Sequence, residues 1–251
     1  VMVAMTLAYL EALNQNTAQV AYDTKMQSLR VRALKEAAME VGVQGGLAFT
    51  SKVINRSLDT IAPLLYQSYN FNSLMLPNNV MPAVIETGYN QSMISKNARN
   101  VTVNGQVYHI DKQSHFVSTP PTWRDYLVMN YAPPELPDKS VLPKNKAEML
   151  LWKKYINIAW DKGIEQGVDI FKQRLYVLTR DFSGMILYYE LINRNMVTLP
   201  YVSTSLKAVS ANKNDLLIDS RALHLELLPE FQKNAKKWQI VLKSDKTQSG
   251  L

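Results

Sequence analysis

The sequence contains no cysteine, which excludes disulfides, thiolate catalysis and cysteine-ligated zinc. That absence leaves the compartment open. A chain of 251 residues with 47% hydrophobic content can bury a core that needs no disulfides even in an oxidising space. Histidine is scarce: His109, His115 and His224 are the full set. His109 and His115 stand six apart with no H-E-x-x-H and no carboxylate cluster beside them, so no metal site is expected. There is no G-x-S-x-G turn, no Walker loop and no G-x-G-x-x-G, which leaves a serine-nucleophile elbow and a nucleotide site without support. No apolar run approaches the ~20 residues of a spanning helix. The opening VMVAMTLAYLEALN lacks a basic leader, meets Glu11 early and reads as an amphipathic helix. The first residue is Val1, which fits a processed chain.

What is present is positive charge, tyrosine and proline. The net charge is +7 and the isoelectric point about 9.4, a balance that suits a polyanionic partner such as nucleic acid, anionic lipid or cell-wall polymer. The carboxyl-terminal stretch KNAKKWQIVLK sets Lys233, Lys236, Lys237 and Lys243 around Trp238, the combination that binds phosphates and stacks bases. Lysines on a helix face are more often a solvated surface, so nucleic acid is not expected as a direct ligand. Aromatic residues gather in irregular segments, above all in HFVSTPPTWRDYLVMNY. There Pro120 and Pro121 stiffen the entry, and Thr122 can cap a short helix with Trp123, Tyr126 and Leu127 on its apolar face. Pro120, Pro121, Trp123, Arg124, Tyr126, Tyr131, Tyr188 and Tyr201 are candidate interface anchors, since tyrosine, tryptophan and arginine dominate such contacts. The alternative is that they fill a core under long loops.

Helical spacing runs from Asp23 to about Ala62, with Leu34, Ala38, Val41, Gly45 and Ala48 on one face and Pro63 as the stop. Gly45-Gly46 implies either a break or a second backbone packed close. Residues 69–90 read as an Asn-rich loop with short helical pieces. Asn104-Gly105 predicts a type I′ hairpin turn, which would pair Val101, Val103, Tyr108 and Ile110 on one face and leave His109 solvated, opposite Asn100. A proline-rich connector, APPELPDKSVLPK, leads into a second helical tract from Asn145 to about Arg180, where Gly163 and Gly167 form a close-packing patch. One more helix follows, with a break expected near Ser183-Gly184. A second hairpin is expected to turn at Ser210 to Asn214, with Leu223, Leu225 and Leu227 alternating as a half-buried strand.

Five blocks occur in order and at matching spacing: LKEAAMEVGVQGGLAF, YNFNSLMLPNNVMPAVIETGYN, HFVSTPPTWRDYLVMNY, LPKNKAEMLLWKKYINIAWDKGIEQ and DFSGMILYYELINRNMVTLPYVS. Together they resemble the DotC family of type IVB (Dot/Icm-type) secretion systems, which includes counterparts in IncI-type conjugative plasmids. The resemblance extends from about Leu34 to Leu228. It implies a non-enzymatic periplasmic protein at the outer membrane, lipid-anchored through an N-terminal segment not seen here. It also implies assembly in many copies, with DotD-like and DotH-like partners, into a ring-shaped core complex. The lipid-bearing cysteine of the family is missing, and the Lys-rich tail has no counterpart.

The expected fold is therefore α+β, mainly helical: a single domain with long packed helices and two β-hairpins. The expected division is an amphipathic segment at 1–22, a DotC-like domain at 23–230 and a basic tail at 231–251. The expected function is a structural scaffold subunit of a type IVB secretion or conjugation channel, with no cofactor. Two alternatives are a polyanion-binding periplasmic module using the tail and a periplasmic hydrolase using His115.

Overall fold

The computed structural model describes residues 15–94, 101–211 and 216–239. The fold is α+β and mainly helical, a single domain with two long helices and two long β-hairpins. Helix α1 spans Gln15–Thr60 and α2 spans Ala62–Ser68. Strands β1 (Val80–Met81), β2 (Val84–Ile94), β3 (Val101–Lys112) and β4 (His115–Phe116) follow, then helices α3 (Trp123–Leu127) and α4 (Lys146–Asn193). Strands β5 (Tyr201–Ala211) and β6 (Leu216–Leu227) complete the described sheet residues. Three antiparallel two-stranded ladders result, β1 with β4, β2 with β3, and β5 with β6. α1 runs through residue 23 without interruption. Contacts group the chain into two compact units, residues 1–61 with 128–173 and residues 62–127 with 174–251.

The first unit is built on α1 and the first half of α4. Their contacts rise together along the chain: Arg30 meets Glu148, Gly42 meets Ala159, Gly46 meets Gly163, and Thr50 meets Gly167. The two helices therefore run parallel. The helix does not break at Gly45-Gly46. A Cβ on Gly46 would run into the Trp160 carbonyl, and one on Gly163 into the carbonyl of Val43. Glycine is needed there because each backbone fills the space a side chain would take. Leu34, Ala38 and Ala159 are buried along the same seam, and Thr50 turns its hydroxyl back onto the Gly46 carbonyl at 2.9 Å. Ser51, also buried, donates likewise to the Ala48 carbonyl at 2.9 Å, and such back-bonding satisfies both hydroxyls.

The start of α4 is fixed by polar contacts. The Asn145 side chain accepts the Glu148 N–H at 2.8 Å, and the Glu148 carboxylate accepts the Lys144 N–H at 2.8 Å. This is a capping arrangement that satisfies amide donors at the helix entry. Arg30 donates to both Glu148 oxygens, at 2.8 and 2.9 Å, and to the carbonyls of Ser140 and Leu142. The Arg30 hydrogen bonds, followed by the Lys144 N–H, hold the Glu148 carboxyl at about 2 against an ordinary 4.5. Because the folded value lies below the unfolded one, this stabilisation is complete above pH 4.5 and is lost as the pH falls toward 2. Glu148→Gln is expected to flatten the stability decline across that interval. Chemical unfolding at a series of pH values checks it, and an unchanged decline would assign the acid sensitivity to other groups.

The second unit gathers the hairpins around the second half of α4. Leu76, Val80, Ala83, Ile85, Tyr188, Leu191 and Val197 form its core, with Tyr108, Ile110, Val202 and Leu225 packed against them. No break occurs at Ser183-Gly184, since α4 is continuous. Gly184 instead lies against the backbone of Ile85 and the side chain of Val84, so it is where β2 approaches the helix. Pro63 does not end a helix either. α1 stops at Thr60, and Pro63 occupies the first turn of α2, where its missing N–H costs nothing.

The Asn104-Gly105 turn is also corrected. Asn104 lies inside β3 and pairs with Gln91, while His109 pairs with Glu86 rather than Asn100. The ladder runs to the pair Ile94 and Val101, and residues 95–100 lie outside the described residues. Tyr108 and Ile110 pack against the core of the second unit, and His109 is exposed as expected. The partner strand β2 occupies part of the segment read as loop. The second hairpin forms, but the start of its expected turn is strand, since Ser210 and Ala211 lie inside β5 and pair with Leu217 and Leu216. Residues 212–214 of that turn lie outside the described residues.

Candidate functional site

The stretch from His115 to Tyr131 is built from the inside out. Trp123 and Leu127 are buried on α3, with the Tyr66 ring packed edge-on against Trp123 at 5.6 Å. Asp125 holds the helix entry, accepting the Thr122 N–H at 2.6 Å and the Thr122 hydroxyl at 2.9 Å. Pro120 and Pro121 are half-buried and Arg124 is exposed. The Arg124 guanidinium lies 4.5 Å from the Trp123 ring centroid and donates to the Tyr66 hydroxyl at 3.2 Å. Tyr131 is half-buried in the first unit. Tyr188 is fully buried, its hydroxyl donating to the Thr198 carbonyl at 3.1 Å, whereas Tyr201 is 59% exposed. Trp123 and Tyr188 thus pack the interior, and Arg124 and Tyr201 are on the surface.

Sequence reasoning missed the cluster centred on Asp181. This carboxylate is buried in the second half of α4 and accepts hydrogen bonds from Lys112 Nζ at 2.6 Å and the Tyr126 hydroxyl at 3.1 Å. Arg180 adds two more, at 2.8 and 3.1 Å, and extends to Asp111 at 3.2 Å and Glu86 at 3.5 Å. Burial, and next the charge of Asp181, push the Tyr126 phenol well above its ordinary value, so it stays a proton donor. With its oxygens already satisfied by four donor contacts, Asp181 ties β3, α3 and α4 together; it is a structural acid and has no free lone pair to serve as a base. A signal for it existed. Asp181 shares the helix face of Leu178, Met185 and Tyr188, and a lone acid on an apolar stripe needs buried partners.

The histidines lie apart. His115 is exposed in β4, with Nδ1 3.0 Å from the Gln113 carbonyl oxygen, and His224 is exposed opposite Ser203 in β6. Among the described residues no group of three or more histidines and carboxylates could hold a metal ion, and no helix is long and apolar enough to cross a membrane. Of the tail lysines, Lys233, Lys236 and Lys237 are exposed, the last two on a single 3₁₀ turn held by the Asn234 side chain. Lys243 lies outside the described residues.

An uncovered apolar surface of the second unit is on the second hairpin. By register, Val202 and Leu225, Thr204 and Leu223, and Leu206 and Arg221 face each other. Val202 and Leu225 reach the core, but Leu223 is 38%, Leu206 73% and Leu227 63% exposed. The alternation expected of a half-buried strand is present, yet only its base is covered. Two-stranded ribbons are marginal in water by themselves, and exposed apolar rows of this kind mark contact surfaces.

The model of a family described as "Type IV secretory system, conjugal DNA-protein transfer" (T4SS_TraI) matches residues 28–240. No curated protein matches the chain at a significant level.

Proposed function

Since the chain belongs to this type IV secretory family of conjugal DNA–protein transfer, we propose that it is a structural scaffold subunit of the channel, of the DotC type. In this reading it is lipid-anchored at the periplasmic face of the outer membrane. It assembles in several copies with DotD-like and DotH-like subunits and catalyses no reaction. The observation that carries the reading is the exposed apolar pair of the second hairpin, Leu206 and Leu223, which rises from the covered base at Val202 and Leu225. A surface of this kind suits a subunit whose work is contact. In the same unit the buried Asp181 carboxylate is spent on holding β3, α3 and α4 together.

Co-expression with DotD-like and DotH-like subunits, followed by size-exclusion chromatography, tests it. The expected result is co-elution at high mass. Leu206→Asp is expected to weaken assembly by about 2 kcal/mol, the loss typical of an interface anchor, while its melting temperature stays near that of the parent. Elution as free monomer beside the intact partners would end the reading.

A further inference from the structure

The first unit carries a second uncovered apolar surface, of a different shape. A hollow of about 340 Å³ lies between α1, α4 and the segment around Pro133 and Pro134, and every residue lining it is apolar except Lys52. Its floor is flat because Gly45 has no side chain; a Cβ there would come within 2.9 Å of the Trp160 ring. Its wall is aromatic, with Phe49 and Trp160 tilted together at a centroid distance of 5.6 Å. Phe49 remains 52% exposed although it sits on this wall. A second hollow of about 600 Å³ adjoins it, sharing Ala48, Lys52 and Pro133 and continuing along α1 past Asn55 and Arg56 to Asp59. The combined surface is thus apolar at one end and mixed at the other, where charged groups join Met129, Tyr131 and Ala132. The mixed end holds two cations, Lys52 and Arg56, against one carboxylate, Asp59.

The edge of this surface is rigidly built. Asn55 pairs with the backbone of Met129 in both directions, donating to its carbonyl at 2.7 Å and accepting its N–H at 3.1 Å. The extended segment leading to Pro133 and Pro134 is therefore pinned to α1 as a neighbouring strand would be. An aromatic-lined apolar groove held on rigid elements suits the anchor side chain of a bound peptide. From Gly45 to Arg56 the helix rises roughly 16 Å, a distance an extended chain covers in about five residues.

We propose that this cleft binds an extended segment of a protein partner. The segment places one bulky apolar or aromatic side chain against Phe49 and Trp160, and an acidic side chain within about five residues of it against Lys52 and Arg56. The apolar end supplies the anchor, and the positive excess sets direction and selects against basic segments. The proposal does not depend on where in the cell envelope the chain works.

The test is panning of a random twelve-residue displayed-peptide library against the full chain, followed by titration of the selected peptides. Enrichment is expected for a leucine or aromatic residue followed or preceded within five positions by Asp or Glu. Phe49→Ala is expected to weaken the selected peptides at least about tenfold, the loss typical of an anchor contact. The pair Lys52→Glu and Arg56→Glu is expected to favour basic peptides in a repeat of the panning. Phe49 is half outside the core, so circular dichroism melting of each variant should match the parent and separate loss of binding from loss of fold. The proposal is overturned if no sequence class is enriched, if the enriched peptides lack acidic residues, or if they bind Phe49→Ala unchanged. A cleft that takes single-stranded oligodeoxythymidine and selects no peptide would overturn it as well.

Discussion

Replacing Gly163 by valine is expected to lower the unfolding free energy by about 3 kcal/mol or more, the upper range for forcing volume into a packed seam. Gly163→Ala is the more telling variant. In an open helix, alanine stabilises by about 1 kcal/mol relative to glycine. Here the added carbon would meet the Val43 carbonyl, and would lie 2.9 Å from Leu47 N and 3.0 Å from Gly46 Cα. All three obstacles are backbone, which cannot swing aside as a side chain does. The expected sign is therefore reversed, with Gly163→Ala less stable than the parent. Urea unfolding followed by circular dichroism decides it, and an alanine variant as stable as the parent would mean that the seam is looser than described.

The second large effect is expected at Asp181. Asp181→Leu removes the acceptor for Lys112, Tyr126 and Arg180 together. Breaking one side of a buried ion pair costs about 3–5 kcal/mol, because the remaining groups stay desolvated. The lower end applies here, since the Lys112 side chain is 42% exposed and can turn to water, while Arg180 keeps Asp111 and Glu86. Adding Lys112→Met is expected to recover part of the loss, because an apolar pair replaces an orphaned charge. A double-mutant cycle on unfolding free energies measures the coupling. A single-variant loss below about 1 kcal/mol, the range of exposed pairs, would show that the cluster is only a surface arrangement.

The parts of the fold readable from the sequence are those governed by local periodicity. The long apolar stripe of α1 and the strand pattern around Leu225 are of this kind. So is the short helix that buries Trp123 and Leu127. The misreadings share one cause, a residue whose local preference yields to a distant partner. Asn104-Gly105 has strong turn chemistry, but β3 continues along β2 on both sides of it, with Gln106 paired to Tyr89 and Asn104 to Gln91. Gly184 has poor helix propensity, yet Val84 and Ile85 need the space it leaves. The Pro63 ring blocks a helix on one side only, and the side it permits is a beginning, as in the first turn of α2. At the site level, the residue types pointed to contact surfaces, but type does not report depth. Trp123 and Tyr188 are inside, while Leu206 and Phe49, which carry no special chemistry, are among those left outside.

The parallel run of α1 and α4 has a consequence for how the chain reaches its native state. The residues that meet along the seam stand more than a hundred positions apart, as Arg30 and Glu148 do. The first compact unit is made of two segments, residues 1–61 and 128–173, with part of the other unit lying between them in sequence. During synthesis α1 therefore emerges long before anything can cover its glycine face. Structures dominated by such distant contacts pay their loop-closure entropy early and fold slowly. A slow folder with an apolar helix waiting for its partner is prone to capture by other chains. The amino-terminal third is where a holding chaperone would be expected to act on this protein, until residue 167 has arrived to close the seam.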